Sequence, residues 1–582
     1  MRLPVPLFLL LLVGCSQPEP ESREASPPTE APAPAPREAM VTSANPHATA
    51  AGIRMLEAGG SAVDAAIATH LVLGLVEPQS SGIGGGGFML VHDAASGTEE
   101  LIDGRETAPA GARADMFLGD DGNPLSHAER VQSGHAVGVP GAIALYHLAH
   151  ERHGVLPWAT LFEPAIRLAE EGFEVSPRMH GSLQRIAGYT DIEDNPDTGA
   201  YFYPGGEPLP VGHLLRNQAY ADTLRGVAER GPVAFYEGPV AQAIADRAAQ
   251  PPRAGTLTVA DLAAYEAKVR EPVCAPFREL RVCSAPPPSS GVAVLEILGL
   301  LERLVPDGAT NDAAGWGAYV QAQLLAYADR DHYVGDGDFV DVPVADLLAP
   351  EYLDVRAAEL FDPAVAPTPG DPGVVLRGEP IIDRWGRDNT EEVAGTSHLS
   401  VVDGDGNAVS FTASVEFIFG SQRMAAGFVL NNELTDFASV PELGGRAVAN
   451  AVAPGKRPRS SMTPTLIFDA QGDLLMATGS PGGNSIIAYT TKSIVGALEF
   501  GLGLDEAIAL PNVVARGLPV RVEADRAPDG FADALRDLGY PVDDTRGENS
   551  GLHPIRVGPE GLIGAADPRR EGVATKVLLP AP

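Results

Sequence analysis

Strand-like and helix-like stretches follow one another in mixed order along this chain of 582 residues, and that order limits the folds it can adopt. Residues 45–57 have helical spacing, and Ser61 with Asp64 forms a capping box that opens a second helix. The glycine run 84–87 leads into the apolar run 88–91, which is typical of a tight turn entering a buried strand. Because sheets and helices each have an apolar face to bury, this mixed order predicts stacked layers.

Two further β-rich stretches, residues 396–402 and 408–415, flank the sequence Asp-Gly-Asp-Gly-Asn at positions 403–407. Asp-Gly pairs are common in the turns that join antiparallel strands, so the pattern predicts a hairpin. The acidic spacing also imitates a calcium loop, but the bidentate acid and the helical flanks of such a loop are missing. We therefore interpret the segment as a turn, and we expect neither a metal nor a cofactor.

The charge of the chain excludes some classes of partner. Lys and Arg number 41 against 77 Asp and Glu, giving a formal net charge of -36, and no long basic cluster occurs. Such a surface does not attract nucleic acid or anionic lipid, so we expect no nucleic-acid partner. The hydrophobic content of 44% is sufficient for a buried core.

The first residues have the features of an export signal. Arg2 provides a positive start, and the apolar run 5–13 is shorter than the roughly 20 residues of a spanning helix. Gly14 places a small residue before Cys15, as an export cleavage site requires. The segment resembles a bacterial lipoprotein signal, which implies removal of residues 1–14 and lipidation of Cys15.

This resemblance predicts a protein that is exported to the periplasm or cell envelope and held at a membrane only by its lipid anchor. Ser16, directly after Cys15, favours the outer membrane by the same resemblance. The alternative is an ordinary secretory signal with a chance cysteine. Residues 15–38 are mostly Pro, Glu, Ala and Ser, which predicts a disordered tether.

The remaining two cysteines, Cys274 and Cys283, lie within a stretch that the pattern predicts to be two strands around a turn near Arg278 and Glu279. A hairpin centred there would place the cysteines directly opposite each other, where Cβ atoms approach to roughly 4.5–5.5 Å. In an oxidising compartment the pair could form a disulfide. Two buried, unpaired thiols are the alternative.

The pair Gly395-Thr396 is a candidate nucleophile. The motifs that mark zinc hydrolases and α/β-hydrolases, His-Glu-x-x-His and Gly-x-Ser-x-Gly, are absent from the sequence. A threonine hydroxyl is a poor nucleophile unless a base lies beside it, and cutting the preceding peptide bond creates such a base, an amine with a pKa of about 7.7. A preceding glycine leaves room for the hydroxyl to attack its carbonyl.

The motifs around Thr396 and upstream of it strengthen this interpretation, because they occur in the order found in one enzyme family. In chain order they are Gly-Gly-Ser-Ala-Val-Asp-Ala-Ala at 59–66, Gly-Gly-Gly-Gly-Phe-Met at 84–89, Gly-Val-Pro-Gly at 138–141, Pro-Pro-Pro-Ser-Ser-Gly at 286–291, Thr-Ser-His-Leu-Ser-Val-Val-Asp at 396–403, Arg-Pro-x-Ser-Ser-Met-x-Pro-Thr at 457–465 and Gly-Ser-Pro-Gly-Gly at 479–483. Over about residues 39–577 the chain resembles the gamma-glutamyltransferase (gamma-glutamyltranspeptidase) family.

The resemblance implies an N-terminal-nucleophile hydrolase fold. This is an α+β four-layer αββα sandwich, in which two stacked, mainly antiparallel sheets lie between helical layers. It also implies a precursor that cuts itself between Gly395 and Thr396, giving a large subunit (residues 39–395) and a small catalytic subunit (residues 396–582) that stay together because the sheets take strands from both.

The family also implies a role for each residue of the reaction. The Thr396 hydroxyl attacks the γ-carbonyl of a γ-glutamyl amide and forms an ester, which passes to water or to an amino-acid or dipeptide acceptor. Gly482 and Gly483 correspond to the oxyanion hole. Ser414 lies where many members have a threonine that hydrogen-bonds the nucleophile.

The glutamyl head group carries a carboxylate and an ammonium, and the resemblance implies partners for both. Arg105 corresponds to the arginine that binds the α-carboxylate, and Ser460 and Ser461 donate hydroxyls to it. Glu433 and Asp436 would hold the α-ammonium, and Glu433 stands where glutamine often occurs.

The chain departs from the family pattern in further ways. Glu416 stands where asparagine is common, so that it, Glu433 and Asp436 would place three carboxylates around one ammonium. The stretch between Asp436 and Ser460 is shorter than in members with a full lid, and it contains no tyrosine. We therefore expect a more open site, which leaves the balance between hydrolysis and transfer open.

Three functions fit these residues. The first is a γ-glutamyl hydrolase/transferase acting on glutathione and related amides. The second is an acylase of the same fold that takes glutaryl amides, although a glutaryl group has no ammonium to meet Glu433 and Asp436. The third is a surface lipoprotein that only binds a ligand, although binding needs neither Gly395-Thr396 nor the glycine pair.

Overall fold

The computed structural model describes residues 37–388, 390 and 395–580, together with residues 1, 4, 5 and 14. The predicted lipidation site, Cys15, lies outside the described residues. The disordered tether was predicted to extend to residue 38, but the first strand, Arg37–Ser43, starts earlier and pairs Arg37 with Leu579 in a sheet. Across the described ranges, no helix combines the length and apolar character needed to cross a bilayer.

The first sheet takes strands from both sides of the predicted cleavage site. All of its neighbouring strands are antiparallel. In spatial order its seven described strands are Val573–Leu579, Arg37–Ser43, Thr396–Val402, Ala408–Ser414, Gly86–Asp93, Thr98–Asp103 and Lys268–Arg270. The strand that starts at Thr396 is therefore central, with Arg37–Ser43 on one side and Ala408–Ser414 on the other.

The second sheet is also antiparallel and likewise combines strands from both sides of Gly395-Thr396. Its six described strands, in spatial order, are Gly561–Gly564, Ile555–Gly558, Leu474–Thr478, Thr465–Phe468, Leu280–Ser284 and Val273–Phe277. Short strand pairs elsewhere are Phe173–Glu174 with Leu214–Leu215, Met424–Ala425 with Phe428–Val429, Glu442–Leu443 with Arg446–Ala447, and Val520–Val522 between Val513–Val514 and Val542–Asp543.

Helices form two groups, each of which packs with one sheet. The group at the first sheet comprises Pro46–Glu57, Ala62–Val76, Ala142–His153, Glu163–Glu171, Gln218–Arg230, Val233–Tyr236 and Gly238–Ala248. The group at the second sheet comprises Gly291–Leu304, Ala313–Tyr333, Pro350–Ala357, Ile486–Ile494, Leu504–Ala509 and Phe531–Asp537. Elsewhere in the described ranges, further helices are His127–Gln132, Pro177–Ala187, Thr198–Phe202, Val259–Ala263, Val344–Leu347 and Pro372–Arg377.

The three largest apolar clusters of the described residues follow this grouping. One combines the first sheet with its helices, and the second combines the second sheet with its helices. The third, called here the shared cluster, contains residues of both sheets, such as Phe88 and Leu90 from the first and Leu466 and Phe468 from the second. Burial of apolar area in these clusters is the main driving force for the fold.

The predicted capping box and the predicted hairpin are both confirmed. Ser61 accepts a hydrogen bond from the backbone N–H of Asp64, and the Asp64 carboxylate accepts one from that of Ser61. Strand 396–402 pairs with strand 408–414. In the turn between them, the Asp403 carboxylate accepts hydrogen bonds from the backbone N–H groups of Asp405 and Asn407, and it accepts another from Ala62 outside the turn. The acid that imitates a calcium ligand therefore stabilises the turn.

The cysteine hairpin is confirmed too. Strands Val273–Phe277 and Leu280–Ser284 pair with Cys274 directly opposite Cys283, and the two sulfurs form a disulfide. Between the two alternatives that the sequence left open, the structure contains the bridge. It lies at the edge of the second sheet, where Val273–Phe277 is the outermost strand.

Candidate active site

The bond that the sequence predicts to be cut lies at the start of the central strand of the first sheet. Ser414 pairs with Thr396 across the hairpin, which places their hydroxyl oxygens 3.2 Å apart. The Ser414 hydroxyl donates to the Gly395 carbonyl oxygen at 2.9 Å and accepts from the Glu416 backbone N–H at 2.7 Å. Ser414 therefore contacts both the nucleophile and the carbonyl that the nucleophile would attack. We call this part the nucleophile end.

The peptide around this bond is tightly enclosed. A side chain at Gly395 would place its Cβ 2.3 Å from the Glu416 carbonyl oxygen, so only glycine fits without a shift. On the other side, Arg570 donates from Nη1 to the Thr396 carbonyl oxygen at 2.9 Å. Arg570 is buried, and this burial lowers its pKa to about 9. Both contacts restrict the position of the Thr396 backbone.

A histidine lies close by in the sequence but does not contact the nucleophile. The ring nitrogens of His398 are 2.9 Å from the Thr412 hydroxyl and 3.2 Å from the Ser400 hydroxyl. Burial lowers the pKa of His398 well below its usual value, so the ring is neutral. Both ring nitrogens of His398 therefore already have hydroxyl partners.

The glycine pair predicted for the oxyanion hole forms a turn that requires glycine. Gly482 has a φ of 141° and Gly483 a φ of 55°. A Cβ on Gly482 would lie 2.4 Å from the ring of Tyr489, whose hydroxyl donates to Glu548. The turn leads directly into helix Ile486–Ile494, and Gly483 lines the cleft next to the nucleophile end.

The other side of the cleft, called the head-group end, is centred on the buried Arg105. Its guanidinium donates to the Glu433 carboxylate and, at 2.6 Å, to the Asp436 carboxylate. It also donates to the backbone carbonyls of Pro458 and Arg459 at 3.1 and 2.7 Å. The resemblance assigned Arg105 to one charge of the substrate and the two acids to the other, and the structure pairs these groups with each other.

The charges at this end are strongly coupled. Burial by itself would lower the pKa of Arg105, but the charges of Glu433 and Asp436 outweigh this effect and raise the pKa above its usual value. The guanidinium therefore stays charged. The neighbouring Glu106 is fully buried, and burial, followed by the charge of Glu433, raises its pKa well above the usual value. The head-group end therefore combines fixed charges with one acid that favours its neutral form.

The two predicted serines also reach the cleft, each held in place by another group. The Ser461 hydroxyl accepts from Arg330 Nη2 at 2.6 Å, and the Ser460 hydroxyl accepts from the Met462 backbone N–H at 3.1 Å. Arg330 Nη1 also donates to the Asn484 side chain at 3.3 Å, directly after the glycine pair. Arg330 thus connects the head-group end with the predicted oxyanion turn.

Glu416 lies between the two ends with an unusual backbone. Its φ of 76° is in the left-handed region, which costs a residue other than glycine about 1–3 kcal/mol and is often found at functional sites. The Asn432 side-chain amide donates to its carboxylate. Asn432 in turn accepts from the Phe417 backbone N–H at 2.9 Å, so this carboxylate has a fixed position at the cleft.

One cleft brings nine of the predicted residues together. Its lining consists of Arg105, Thr396, Ser414, Glu416, Glu433, Asp436, Ser460, Ser461 and Gly483, with Met462 and Ile486 in addition. Gly395 and Gly482 flank this lining without contributing to it. Nucleophile, oxyanion turn and head-group charges thus share one cavity, as an acyl-transfer site requires.

Comparison with known proteins agrees with this geometry. The family model described as Gamma-glutamyltranspeptidase matches residues 48–577. The chain belongs to the gamma-glutamyltranspeptidase family. It is 34% identical to the "Glutathione hydrolase proenzyme" of Bacillus subtilis (strain 168), over 93% of this chain and 92% of that protein. The proenzyme of the same name from Escherichia coli (strain K12) is 37% identical, over 92% and 90%.

Among solved structures, the cephalosporin acylase from Bacillus halodurans superposes with a TM-score of 0.78 at 28% identity. The match covers 96% of this chain and 98% of that one. Because an acylase shares the backbone of this gamma-glutamyltranspeptidase family member so closely, the fold alone does not select the acyl group. That selection depends on the side chains of the head-group end.

Several residues of this family member's site were missed by sequence reasoning. Met462 lies inside the Ser-Ser-Met motif and could have been included from that motif. Arg330 and Arg570 act through contacts distant in the sequence: Arg330 lies 131 residues from Ser461, and Arg570 lies 174 residues from Thr396. No local pattern signals such a contact.

The segment predicted to be a shortened lid contains a small hairpin. Strands Glu442–Leu443 and Arg446–Ala447 pair with each other, and all four residues are exposed. The exposed Leu443 is 41% accessible. The more open site that the sequence predicts from this short segment stays a prediction.

Proposed function

We propose that this protein is a self-processing γ-glutamyl hydrolase/transferase that acts on glutathione and related γ-glutamyl amides. One observation carries the proposal: the Thr396 hydroxyl, at the predicted cleavage bond, opens into the same cleft as Arg105, Glu433 and Asp436. A binding protein needs no nucleophile in that position. The names of the Bacillus and Escherichia relatives support the same activity.

The self-cleavage step follows from the contacts of Ser414. The Thr396 oxygen attacks the Gly395 carbonyl carbon, and the Ser414 hydroxyl, 2.9 Å from the carbonyl oxygen, stabilises the charge that develops there. The C–N bond breaks, the nitrogen takes the proton, and Gly395 is left as an ester on Thr396. Water hydrolyses this ester, which releases the Gly395 carboxylate and frees the Thr396 hydroxyl beside the amine that the first step formed.

In turnover the same hydroxyl attacks the γ-carbonyl of the substrate, and the Thr396 amine accepts its proton. The backbone N–H groups of Gly482 and Gly483 stabilise the oxyanion, which is worth about 2.7–4 kcal/mol for each donor in comparable sites. The amine of the leaving group departs with a proton. Water then releases glutamate from the ester, whereas an amino-acid or dipeptide amine forms a new γ-glutamyl product.

The head-group end selects a zwitterion. Arg105 and the hydroxyls of Ser460 and Ser461 suit an α-carboxylate, and Glu416, Glu433 and Asp436 suit an α-ammonium. The carboxylate of a zwitterionic head group can pair with Arg105, and its ammonium can pair with Glu433 and Asp436. Each buried charge therefore keeps an opposite charge when the substrate binds. A glutaryl group lacks the ammonium and would leave the acids without this compensation, which disfavours the acylase alternative.

We also infer the finer features that the resemblance implied. The αββα layering is supported by the two helix groups, one at each sheet, and by the shared cluster, which contains residues of both sheets. Subunits 39–395 and 396–582 would stay together because each contributes strands to both sheets. Export and a lipid anchor on Cys15 are proposed from the N-terminal sequence alone.

Turnover of a γ-glutamyl anilide by purified protein, with and without glycylglycine, tests this function. We expect anilide release, faster with glycylglycine if transfer occurs, and little release from the matched glutaryl anilide. A denaturing gel should show two chains, and the smaller should begin Thr-Ser-His-Leu. A single uncut chain without turnover would support a binding protein, and preference for the glutaryl anilide would support an acylase.

A further inference from the structure

The Cys274–Cys283 bridge joins one exposed and one buried residue. Cys274 is exposed on the edge strand of the second sheet. Cys283 is fully buried and belongs to the shared cluster. Thiol–disulfide exchange requires the attacking sulfur to reach one sulfur of the bridge. A dissolved thiol can therefore attack at Cys274, and the sulfur of Cys283 is then the leaving group.

A guanidinium lies beside that leaving group. Arg281 Nη1 is 3.1 Å from the Cys283 sulfur and 3.9 Å from the Cys274 sulfur. The guanidinium also forms two hydrogen bonds to the Glu99 carboxylate, at 2.8 and 3.0 Å, and lies 4.2 Å from the centre of the Phe468 ring. Glu99 and Phe468 hold Arg281 in this position independently of the bridge.

This arrangement makes the two sulfurs of the bridge differ in their reactivity toward thiols. A positive charge next to a sulfur lowers the pKa of its thiol, and a thiol of lower pKa leaves faster in exchange. The accessible sulfur is thus the electrophile, and the buried sulfur beside Arg281 is the better leaving group. Access and charge favour the same bond cleavage.

We propose that Cys274 is a site of reversible S-thiolation by low-molecular-weight thiols. The thiolate of the small molecule forms a bond to the Cys274 sulfur, and the Cys274–Cys283 bond breaks with its electron pair going to Cys283. The proton of the incoming thiol goes to solvent, and the Cys283 thiolate is held by Arg281. One disulfide replaces another, so no external oxidant is needed.

The reverse step is built into the same hairpin. Cys283 stays opposite Cys274 in the strand pair, so its thiolate attacks the Cys274 sulfur, restores the bridge and expels the small thiol. The modified fraction therefore follows the concentration of small thiol. Glutathione belongs to this class of ligand, but the site does not depend on γ-glutamyl turnover.

Peptide mapping of the purified full chain tests the site with N-acetylcysteine, a thiol that has no γ-glutamyl group. The reaction is stopped with acid, and the protein is then denatured in the presence of N-ethylmaleimide, which labels free thiols. Trypsin cleaves after Arg278 and Arg281 and so places the two cysteines on separate peptides. We expect the N-acetylcysteine adduct on Cys274 and the maleimide on Cys283. Failure of γ-glutamyl turnover would not affect this result.

Two variants test the role of the guanidinium. Arg281→Gln should slow adduct formation about threefold, because the leaving thiol loses its cation. Arg278→Gln is the matched control: Arg278 lies at the turn of the same hairpin and pairs with Glu499, so its loss should leave the rate unchanged. An intact bridge, an adduct on Cys283, maleimide on both cysteines, or equal rates for Arg281→Gln and wild type would each overturn the proposal.

Discussion

The two ends of the cleft differ in how they are assembled. At the nucleophile end, Thr396 and Ser414 are partners across one hairpin, 18 residues apart, and both are neutral hydroxyls. At the head-group end, Arg105 meets Glu433 and Asp436, which lie 328 and 331 residues away, and all three side chains are buried and ionisable. One end depends on local strand pairing, and the other depends on the complete fold.

This difference separates chemistry from recognition. Changes at the nucleophile end should affect both the self-cleavage and the turnover, since one hydroxyl performs both. Changes at the head-group end should affect substrate binding and leave self-cleavage intact, since the precursor places its own Gly395 carbonyl beside Thr396. The cut and the turnover can therefore be measured separately for each variant.

The largest effect is expected for Thr396→Ala. This variant should stay a single chain and lose turnover by a factor on the order of 10⁴ or more, because no other group replaces the nucleophile. Denaturing gels and anilide release measure the two effects. Thr396→Ser keeps a hydroxyl and should still cut itself. Two fragments from Thr396→Ala would show that another residue attacks.

Arg105→Gln should separate the two ends. The buried carboxylates of Glu433 and Asp436 lose their cation, so we expect kcat/KM for a γ-glutamyl anilide to fall by a factor on the order of 10² to 10³ while the chain still cuts itself. The control is Arg113→Gln, since Arg113 is an exposed arginine paired with Asp115. Loss of the cut in soluble, folded Arg105→Gln would contradict the separation.

Removing the Ser414 hydroxyl tests the nucleophile end without removing the nucleophile. Ser414→Ala should slow self-cleavage about 10²-fold, the usual effect of losing one oxyanion donor. A time course of precursor conversion gives the rate. Ser410→Ala, on the same strand, is the control because its hydroxyl donates to the Thr478 carbonyl instead. Unchanged conversion of Ser414→Ala would remove Ser414 from the mechanism.

Gly395→Ala should slow self-cleavage and leave the turnover of the cut protein unchanged. Its Cβ would lie 2.3 Å from the Glu416 carbonyl oxygen, and the resulting strain of about 1–3 kcal/mol should slow conversion roughly tenfold. Once cut, the chain should turn over substrate at the normal rate. Gly517→Ala, where an added Cβ meets no atom within 4 Å, is the control. A lasting loss of turnover after complete conversion would show that residue 395 also shapes the mature site.

The smallest expected effect is that of pH on turnover. The Thr396 amine acts as a base only when neutral, and with a pKa of about 7.7 its neutral fraction falls roughly threefold between pH 7.7 and 7.0. We expect kcat/KM for the anilide to fall in the same proportion, since protonation rises as pH falls. A flat profile of kcat/KM between about pH 6 and 9 would indicate a different base.

The structure agrees with sequence reasoning best where the pattern is local. The capping box of Ser61 and Asp64, the hairpin that starts at Thr396 and the register of Cys274 with Cys283 were all predicted, because each depends on residues close together in the chain. The head-group residues were found only through motifs that resemble a family. No feature of the sequence indicated that Arg105 would pair with Glu433 and Asp436.

The sequence alone predicts the nucleophile, through the pair Gly395-Thr396 and the family motifs around it. It also determined the hairpins, because period-two alternation and turn residues specify strand pairing locally. The folded structure was needed to reveal that Arg330 supports Ser461, that Arg570 holds the Thr396 carbonyl and that the head-group charges share the cleft. These contacts join residues more than 100 positions apart, and their geometry arises only when the sheets and helices pack together.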